Sequence, residues 1–290
     1  MTDLLTARPQ VRPDLLLSPE LSRGPDRIHL LKVRGGRVFE VPSKEHFLIR
    51  RLDGTRSLED IGAEYSARFG RRLGPAQWSQ LLWLLHQRDL LHTGAAAPAI
   101  SPAPGLRRLA RASGWAFSRP AGIVVAVAFA AMYALVAVRA PQLWHDARPA
   151  FGDWRTVAAV VVVCYVSAML HELAHAVAAT RHGCPVVRIN LLTLSCAVED
   201  YQYLPSRGRR VVIAAVGGVL NSVVTAPFVV GWLLTGNGLA AAVALVGTAQ
   251  SLVNYVPVAP LDGYKMLSHL LGVVALGPES RRYLWSRPRS

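Results

Sequence analysis

Three residues in the middle of the chain have the types and spacing of a hydrolytic metal site. His171, Glu172 and His175 form a His-Glu-x-x-His sequence. On a helix the two histidines lie one turn apart on one face, so both imidazoles can reach one zinc ion. Glu172 then stands beside the water at the open coordination position and can act on it as a base. The pattern predicts a hydrolase with one zinc ion per chain.

A structural role is the alternative for these side chains, because hydrogen-bonded polar groups also hold helices together in a membrane. The motif lies within an apolar run from about residue 157 to 179. Ionisable groups are costly in such a run, and a neutral Asn or Ser would join helices at lower desolvation cost. The metal site is therefore the favoured interpretation.

Asp262 is the best candidate for the third ligand that a catalytic zinc needs. Pro257 and Pro260 interrupt the preceding apolar helix, and Gly263 frees the backbone after it. The carboxylate can therefore turn inward, although an ordinary turn is the other interpretation of Asp-Gly. Asp262 and His175 are both predicted near the cytoplasmic face at similar depth, which favours ligation.

Composition indicates a membrane protein with basic cytoplasmic segments. The 290 residues are 52% hydrophobic and carry a net charge of +14, values that conflict in a soluble globule. Nucleic-acid binding would also explain the charge, but the arginines cluster beside the apolar runs. No nucleic-acid partner is expected. The three cysteines form no CxxC pair and predict no disulfide framework.

Four apolar runs predict about four transmembrane helices, at residues 121–138, 157–179, 211–234 and 239–256. The basic clusters fall on one side of this arrangement, and the first twenty residues contain no apolar signal-peptide core. The N-terminus and the active site are therefore expected on the cytoplasmic side of the cell membrane. Residues 186–204 are less hydrophobic and predict strand-like or re-entrant structure.

Residues 1–95 predict a small α+β domain of the winged-helix type. A hairpin turns at the Gly-Gly pair of Val33–Val41. Helices are predicted after Ser43 as a cap, after the capping-box pattern Ser57–Asp60, and from Gly74-Pro75. The third helix turns its large apolar residues inward: Trp78, Leu81, Leu82 and Leu85. The whole chain is thus mainly α and polytopic, with a small α+β N-terminal domain.

From about residue 30 to 92 the chain resembles the PqqD-like peptide-recognition domains. The resemblance rests on Leu52-Asp-Gly-Thr-Arg-Ser-Leu58, the amphipathic helix after it, and the ending Leu84-Leu-His-Gln-Arg-Asp-Leu-Leu91. It implies that the hairpin edge and a helix hold a leader peptide by strand addition, in the maturation of ribosomally made, modified peptides. A helix-turn-helix module that binds DNA, or that only packs on the membrane domain, is the alternative.

Residues 155–270 resemble the site-2 protease family of intramembrane zinc metalloproteases. Three motifs on successive spans carry this resemblance: His171-Glu-Leu-Ala-His-Ala176, Ala214-Ala-Val-Gly-Gly-Val-Leu-Asn221 and Asn254-x-x-Pro-x-x-Pro-Leu-Asp-Gly263. By position, the resemblance implies that His171, His175 and Asp262 bind zinc and that Glu172 is the general base. It also implies that Asn221 and Asn254 lie near the substrate, although either could equally join helices.

The predicted organisation has four parts: a recognition domain at 1–95, a linker and juxtamembrane segment at 96–120, a metalloprotease domain at 121–276 and a basic cytoplasmic tail at 277–290. The expected activity is hydrolysis of a leader-bearing or membrane-associated precursor peptide, with that peptide and the lipid bilayer as partners. Regulated proteolysis of a membrane-anchored signalling protein is one alternative. A catalytically silent membrane anchor presenting a helix-turn-helix is the other. The oligomeric state stays open.

Overall fold

The computed structural model describes residues 4–92, 103–274, 276–278 and 280. The chain forms two compact units. Unit 1 comprises the described residues up to 92, together with Gln202–Pro205 and those from Gly272 onward. Unit 2 comprises residues 103–201 and Ser206–Leu271. Residues 96–102 of the predicted linker and 281–290 of the predicted tail lie outside the described residues.

Unit 1 contains a four-stranded antiparallel sheet built around its third strand. The strands are β1 (Leu15–Leu17), β2 (Leu21–Arg23), β3 (Asp26–Val33) and β4 (Val38–Pro42). β3 pairs with each of the other three. The predicted hairpin is confirmed as β3 and β4, and Gly35 adopts the positive φ of 75° that its turn requires. The sequence did not predict β1 and β2.

Three helices close this sheet over an apolar core. They are α1 (Ser43–Ile49), α2 (Leu58–Phe69) and α3 (Pro75–Gln87). The capping box of α2 is confirmed, because Ser57 and Asp60 each accept the other's backbone N–H. The prediction that Ser43 caps the first helix was wrong. Ser43 is the first residue of α1, and Pro42 occupies the N-cap position without a side-chain hydrogen bond. Core residues include Leu31, Ile49, Leu58, Ile61, Trp78 and Leu85.

Two short segments from the second half of the chain join unit 1. Ser22 in β2 donates its N–H to the carbonyl of Gly272 at 2.8 Å and accepts from the N–H of Val274 at 2.9 Å. Tyr203 is buried in a small cluster with three sheet residues, Leu21, Ile28 and Leu30. Unit 1 therefore extends beyond the predicted 1–95 domain, because it also includes Gln202–Pro205 and the residues from Gly272 onward.

Unit 2 is mostly helical. Its helices are α4 (Pro104–Ala112), α5 (Arg119–Val138), α6 (Ala140–Ala147), α7 (Trp154–Arg181), α8 (Arg207–Thr235), α9 (Gly238–Val253) and α10 (Asp262–Leu271). Three of them, α5, α7 and α8, are long and apolar enough to cross a membrane. The fourth predicted span, α9, has 16 residues and a length of about 24 Å, less than a straight crossing of about 30 Å.

The segment between α7 and α8 forms a hairpin of β5 (Val186–Asn190) and β6 (Ser195–Val198), as the strand-like prediction expected. Both strands pack beside α7. α4 also packs on α7, so part of the predicted juxtamembrane segment is a helix of its own.

The break between α9 and α10 places the last candidate ligand. α9 ends at Val253, ahead of Pro257, and α10 begins at Asp262. The N–H of Gly263 donates to the carbonyl of Asn254 at 2.7 Å. A side-chain carbon at position 263 would collide with the backbone of Tyr255, so only glycine permits this approach. The predicted interruption of the helix by proline is confirmed.

Candidate metal centre

The side chains of His171, His175 and Asp262 converge in unit 2. Nε2 of His171 and Nε2 of His175 each lie 3.0 Å from Oδ2 of Asp262, and the two nitrogens are 3.1 Å apart. All three residues are buried. The group could hold a metal ion, with one ligand atom from each residue. The structure thus brings together the three residues that the sequence analysis selected.

The hydrogen bond behind His175 fixes the protonation of its ring. Nδ1 of His175 lies 2.7 Å from the backbone carbonyl of Ile213, and a carbonyl only accepts, so this nitrogen carries the proton. In a neutral ring Nε2 then carries a free electron pair that faces a carboxylate oxygen. Two electron pairs face each other at 3.0 Å only with a cation between them, either a proton or a metal ion. This outer bond is the type that orients histidine ligands.

Asn221 performs a similar task for His171. Its amide nitrogen lies 3.2 Å from Nδ1 of His171, and its amide oxygen accepts a hydrogen bond from Ser167 at 2.9 Å. Ligation through Nε2 requires a proton on Nδ1, and the Asn221 amide turned by 180° would accept a hydrogen bond from that N–H through its oxygen. The motif resemblance implied that Asn221 lies near the substrate, with the joining of helices as the equal alternative; in the structure Asn221 of α8 bonds Ser167 and His171 of α7 and so joins two helices.

Gly217 leaves space directly against the two imidazoles. A side-chain carbon at this position would lie 2.5 Å from Nε2 of His171 and 2.6 Å from Nε2 of His175. The absent side chain therefore gives the ligand atoms the room that an ion and a fourth ligand need. The sequence motif included this glycine, but nothing in the local pattern gave it a role.

Lys265 is a residue of the site that the sequence analysis missed. One turn after Asp262 on α10, its ammonium donates to Oδ1 of that carboxylate at 2.8 Å. Oδ2 is thereby left to face the histidines. Burial opposes the charge of Lys265, but Asp262, Tyr201 and Glu172 outweigh burial and raise its pKa. A Lys three residues after a ligand on a helix was the available signal.

Glu172 is half-buried and follows His171 directly, and its charge acts on both Lys265 and Cys196. Burial, with the charge of Glu172, raises the pKa of Cys196 to about 11, so its thiol stays neutral. Asn254 has a different position from Asn221. Its side chain donates to the carbonyl of Gln250 within α9, where it supports the end of that helix.

No family model, curated protein or solved structure matches this chain. The likenesses to the site-2 protease family and to the PqqD-like domains therefore rest on the motifs alone.

Proposed function

We propose that this protein is a membrane-embedded zinc endopeptidase that cleaves a precursor peptide. The convergence of His171, His175 and Asp262 on one point carries the proposal, because His175 and Asp262 are 87 positions apart in the chain and lie on different helices. Glu172 follows the first of these residues directly, as the catalytic arrangement requires.

The donor set fits zinc. Two imidazole nitrogens and one carboxylate oxygen leave a fourth tetrahedral position open for water, the arrangement of catalytic rather than structural zinc. Tetrahedral bonds of about 2.0–2.1 Å set ligand atoms about 3.3 Å apart. The separations of 3.0 to 3.1 Å need an expansion of only about 0.3 Å.

In this proposal each side chain has a distinct task. Bound zinc would supply Lewis-acid polarisation of the scissile carbonyl and acidify the attacking water. Glu172 accepts a proton from that water and returns it to the leaving amine. Lys265 holds Asp262 through Oδ1, and Asn221 holds the ring of His171. Neither histidine can ligate once protonated, so activity falls in acid.

The β5–β6 hairpin supports a binding mode for the substrate. Cys196 on β6 interacts electrostatically with Glu172, so β6 lies near that residue. Among the described residues, no third strand pairs with the hairpin. An unwound segment of substrate can pair with a free edge and present an extended peptide bond. Prolines introduced through β6 should then lower cleavage while metal content stays constant; unimpaired cleavage would rule out edge pairing.

Unit 1 supports recruitment of the substrate peptide. Within the described residues β4 pairs with β3 alone, and Val38 on it is exposed. Such an edge can receive a leader peptide as an added strand. Deleting the leader of a candidate precursor should therefore weaken its binding and leave the chemistry at the metal centre unchanged.

The proposed place of the enzyme is the cell membrane, with the N-terminus and the metal centre toward the cytoplasm. Arg107, Arg108 and Arg111 precede α5, and Arg207 and Arg209 begin α8. The α8–α9 turn on the other side is uncharged. Labelling of single cysteines at positions 206 and 236 in intact cells tests this: a membrane-impermeant reagent should reach only position 236.

Metal content and cleavage together test the enzymatic proposal. Purified wild-type protein should contain about one zinc per chain, and His171→Ala should lose it. His145→Ala is the matched control, because its side chain is 87% exposed in α6. Glu172→Gln should keep zinc but lower cleavage of a co-expressed precursor by about 10²- to 10⁴-fold. Wild-type protein without zinc would instead favour a catalytically silent anchor.

A further inference from the structure

A cationic cavity lies between α4 and the end of α7. Its volume is about 520 Å³, and four arginines line it: Arg107, Arg108, Arg111 and Arg181. No acidic side chain is among its lining residues, and none of the described ion pairs involves these arginines. Guanidinium groups present forks of N–H donors that match phosphate oxygens. The cavity therefore has the charge and the donors of an anion site.

Thr180 adds an independent sign of a ligand. It lines the same cavity, and its hydroxyl oxygen is buried without a hydrogen-bond partner among the described residues. A buried hydroxyl without a partner is destabilising, because it has lost its hydrogen bonds to water. A phosphate oxygen in the cavity would accept from this hydroxyl and remove that cost.

The chain after α4 places this cavity at the depth of lipid headgroups. A short 3-10 turn, Gly114–Phe117, leads from α4 to the membrane-spanning candidate α5. Trp115 in this turn is 75% exposed, as is typical of side chains at the membrane interface. The guanidinium of Arg181 packs over Gly114, where a side-chain carbon would lie 3.5 Å from it. Arg181 therefore contacts both the cavity and the turn that leads into α5.

We propose that this cavity binds the phosphate of an anionic glycerophospholipid. The lipid would seat its headgroup among the four arginines and Thr180 and leave its acyl chains along α5. Since α4 packs on α7, the bound lipid would hold the cytoplasmic end of the helix that carries His171 and His175. The inference needs a bilayer but does not depend on proteolysis.

Native mass spectrometry of the full chain in a neutral detergent tests the site with phosphatidylglycerol as the probe. The variant Arg107→Gln/Arg111→Gln/Arg181→Gln should lose about a hundredfold in affinity, about fivefold for each arginine. Arg139→Gln/Arg148→Gln/Arg155→Gln removes the same charge elsewhere in unit 2 and should bind like wild type. Equal loss in both variants would show a diffuse charge effect and overturn the proposal.

Thr180→Val separates a lipid contact from a structural defect. With a ligand in place, the loss of the hydroxyl should weaken phosphatidylglycerol binding about tenfold, as for a hydrogen bond to a charged group. A more stable variant with unchanged lipid affinity would overturn the assignment.

Two further probes identify the source of the anion. Inorganic phosphate should fail to displace the lipid at equal concentration; equal competition would assign the cavity to free phosphate and overturn the lipid proposal. An acidic peptide that binds the wild type but not the triple arginine variant, with lipid retained by both, would assign the cavity to substrate and overturn the lipid proposal.

Discussion

The core of unit 1 and the surroundings of the metal-ligand group in unit 2 bury different kinds of side chain. Unit 1 buries large apolar residues such as Leu31, Leu58 and Trp78. Around its metal-ligand group unit 2 buries small or polar residues: Ala174, Ala176, Ser167, Gly217, Asn221, Ser222 and Ser251. Unit 2 buries Leu143 and Trp232 in a separate apolar cluster, but many of its large apolar residues are exposed, with Leu234 at 80% and Val138 at 79%.

This difference in buried side chains matches the difference between folding in water and helix association in lipid. In water the removal of apolar surface drives folding, so a core of leucine and tryptophan is favourable. In lipid that driving force is absent, and helices associate through close contact of small residues and hydrogen bonds. The many exposed apolar residues of unit 2 are compatible with a bilayer, and close helix contact of this kind requires small residues such as Gly217 beside the ligand group.

Gly217→Ala should have the largest effect, because the added carbon would stand 2.5 Å from a ligand nitrogen. We expect loss of bound metal and of cleavage. Overpacking should also lower the free energy of unfolding by about 1–3 kcal/mol. Gly231→Ala on the same helix is the control, since its nearest neighbour is 3.9 Å away. Metal analysis and thermal unfolding measure both. Full zinc in Gly217→Ala would refute the close packing at the centre.

Trp78→Ala tests the core of large apolar residues in unit 1. Trp78 is 1% exposed in unit 1, and its removal should lower stability by about 3–5 kcal/mol. Trp83→Ala on the same helix should change stability by less than about 0.5 kcal/mol, since Trp83 is 59% exposed. Hydrogen exchange of the amides in α3 measures both. Equal effects of the two substitutions would show that Trp78 does not belong to a tightly packed core of unit 1.

Lys265→Met should weaken zinc binding by about 10- to 100-fold, because Asp262 loses the partner of its outer oxygen. Lys265→Arg should restore most of the affinity. Lys44→Met, at an exposed position of unit 1, provides a matched loss of charge. Competition with a chelator measures the affinity. Unchanged affinity in Lys265→Met would make this ion pair irrelevant to metal binding.

Acid should destabilise unit 1 through His46. The rings of His46 and His29 stack at 3.6 Å. Burial, with the charges of His29 and Arg50, lowers the pKa of His46 from 6.5 to about 4. The unfolded chain therefore takes up the proton first, and stability falls as pH drops from about 6.5 toward 4. Hydrogen exchange across this range should show the loss, and His46→Gln should reduce it.

Local patterns predicted the elements of this protein better than its contacts. Helical spacing was enough to find His171 and His175, and the prolines before Asp262 indicated a ligand that could turn inward. Strands β1 and β2 have three residues each, too few for a periodic pattern, and they form because β3 pairs with them.

The outer contacts of the site could not be predicted because they join distant positions. The carbonyl of Ile213 behind His175 is a backbone group, and any residue type could supply it. Gly217 matters through what it leaves out against two side chains of another helix. Lys265 was the exception, since its partner lies one turn away on the same helix.

The position of Asp262 at the start of the last described full helix also bears on biosynthesis. Protein synthesis proceeds from the N-terminus, so a nascent chain that has completed α7 and α8 already presents both histidines but has no carboxylate to join them. The ribosome must pass Asp262, and α10 must dock, before all three side chains can meet. The proposed protease would therefore remain inert throughout its own insertion and gain its metal as a late step of maturation.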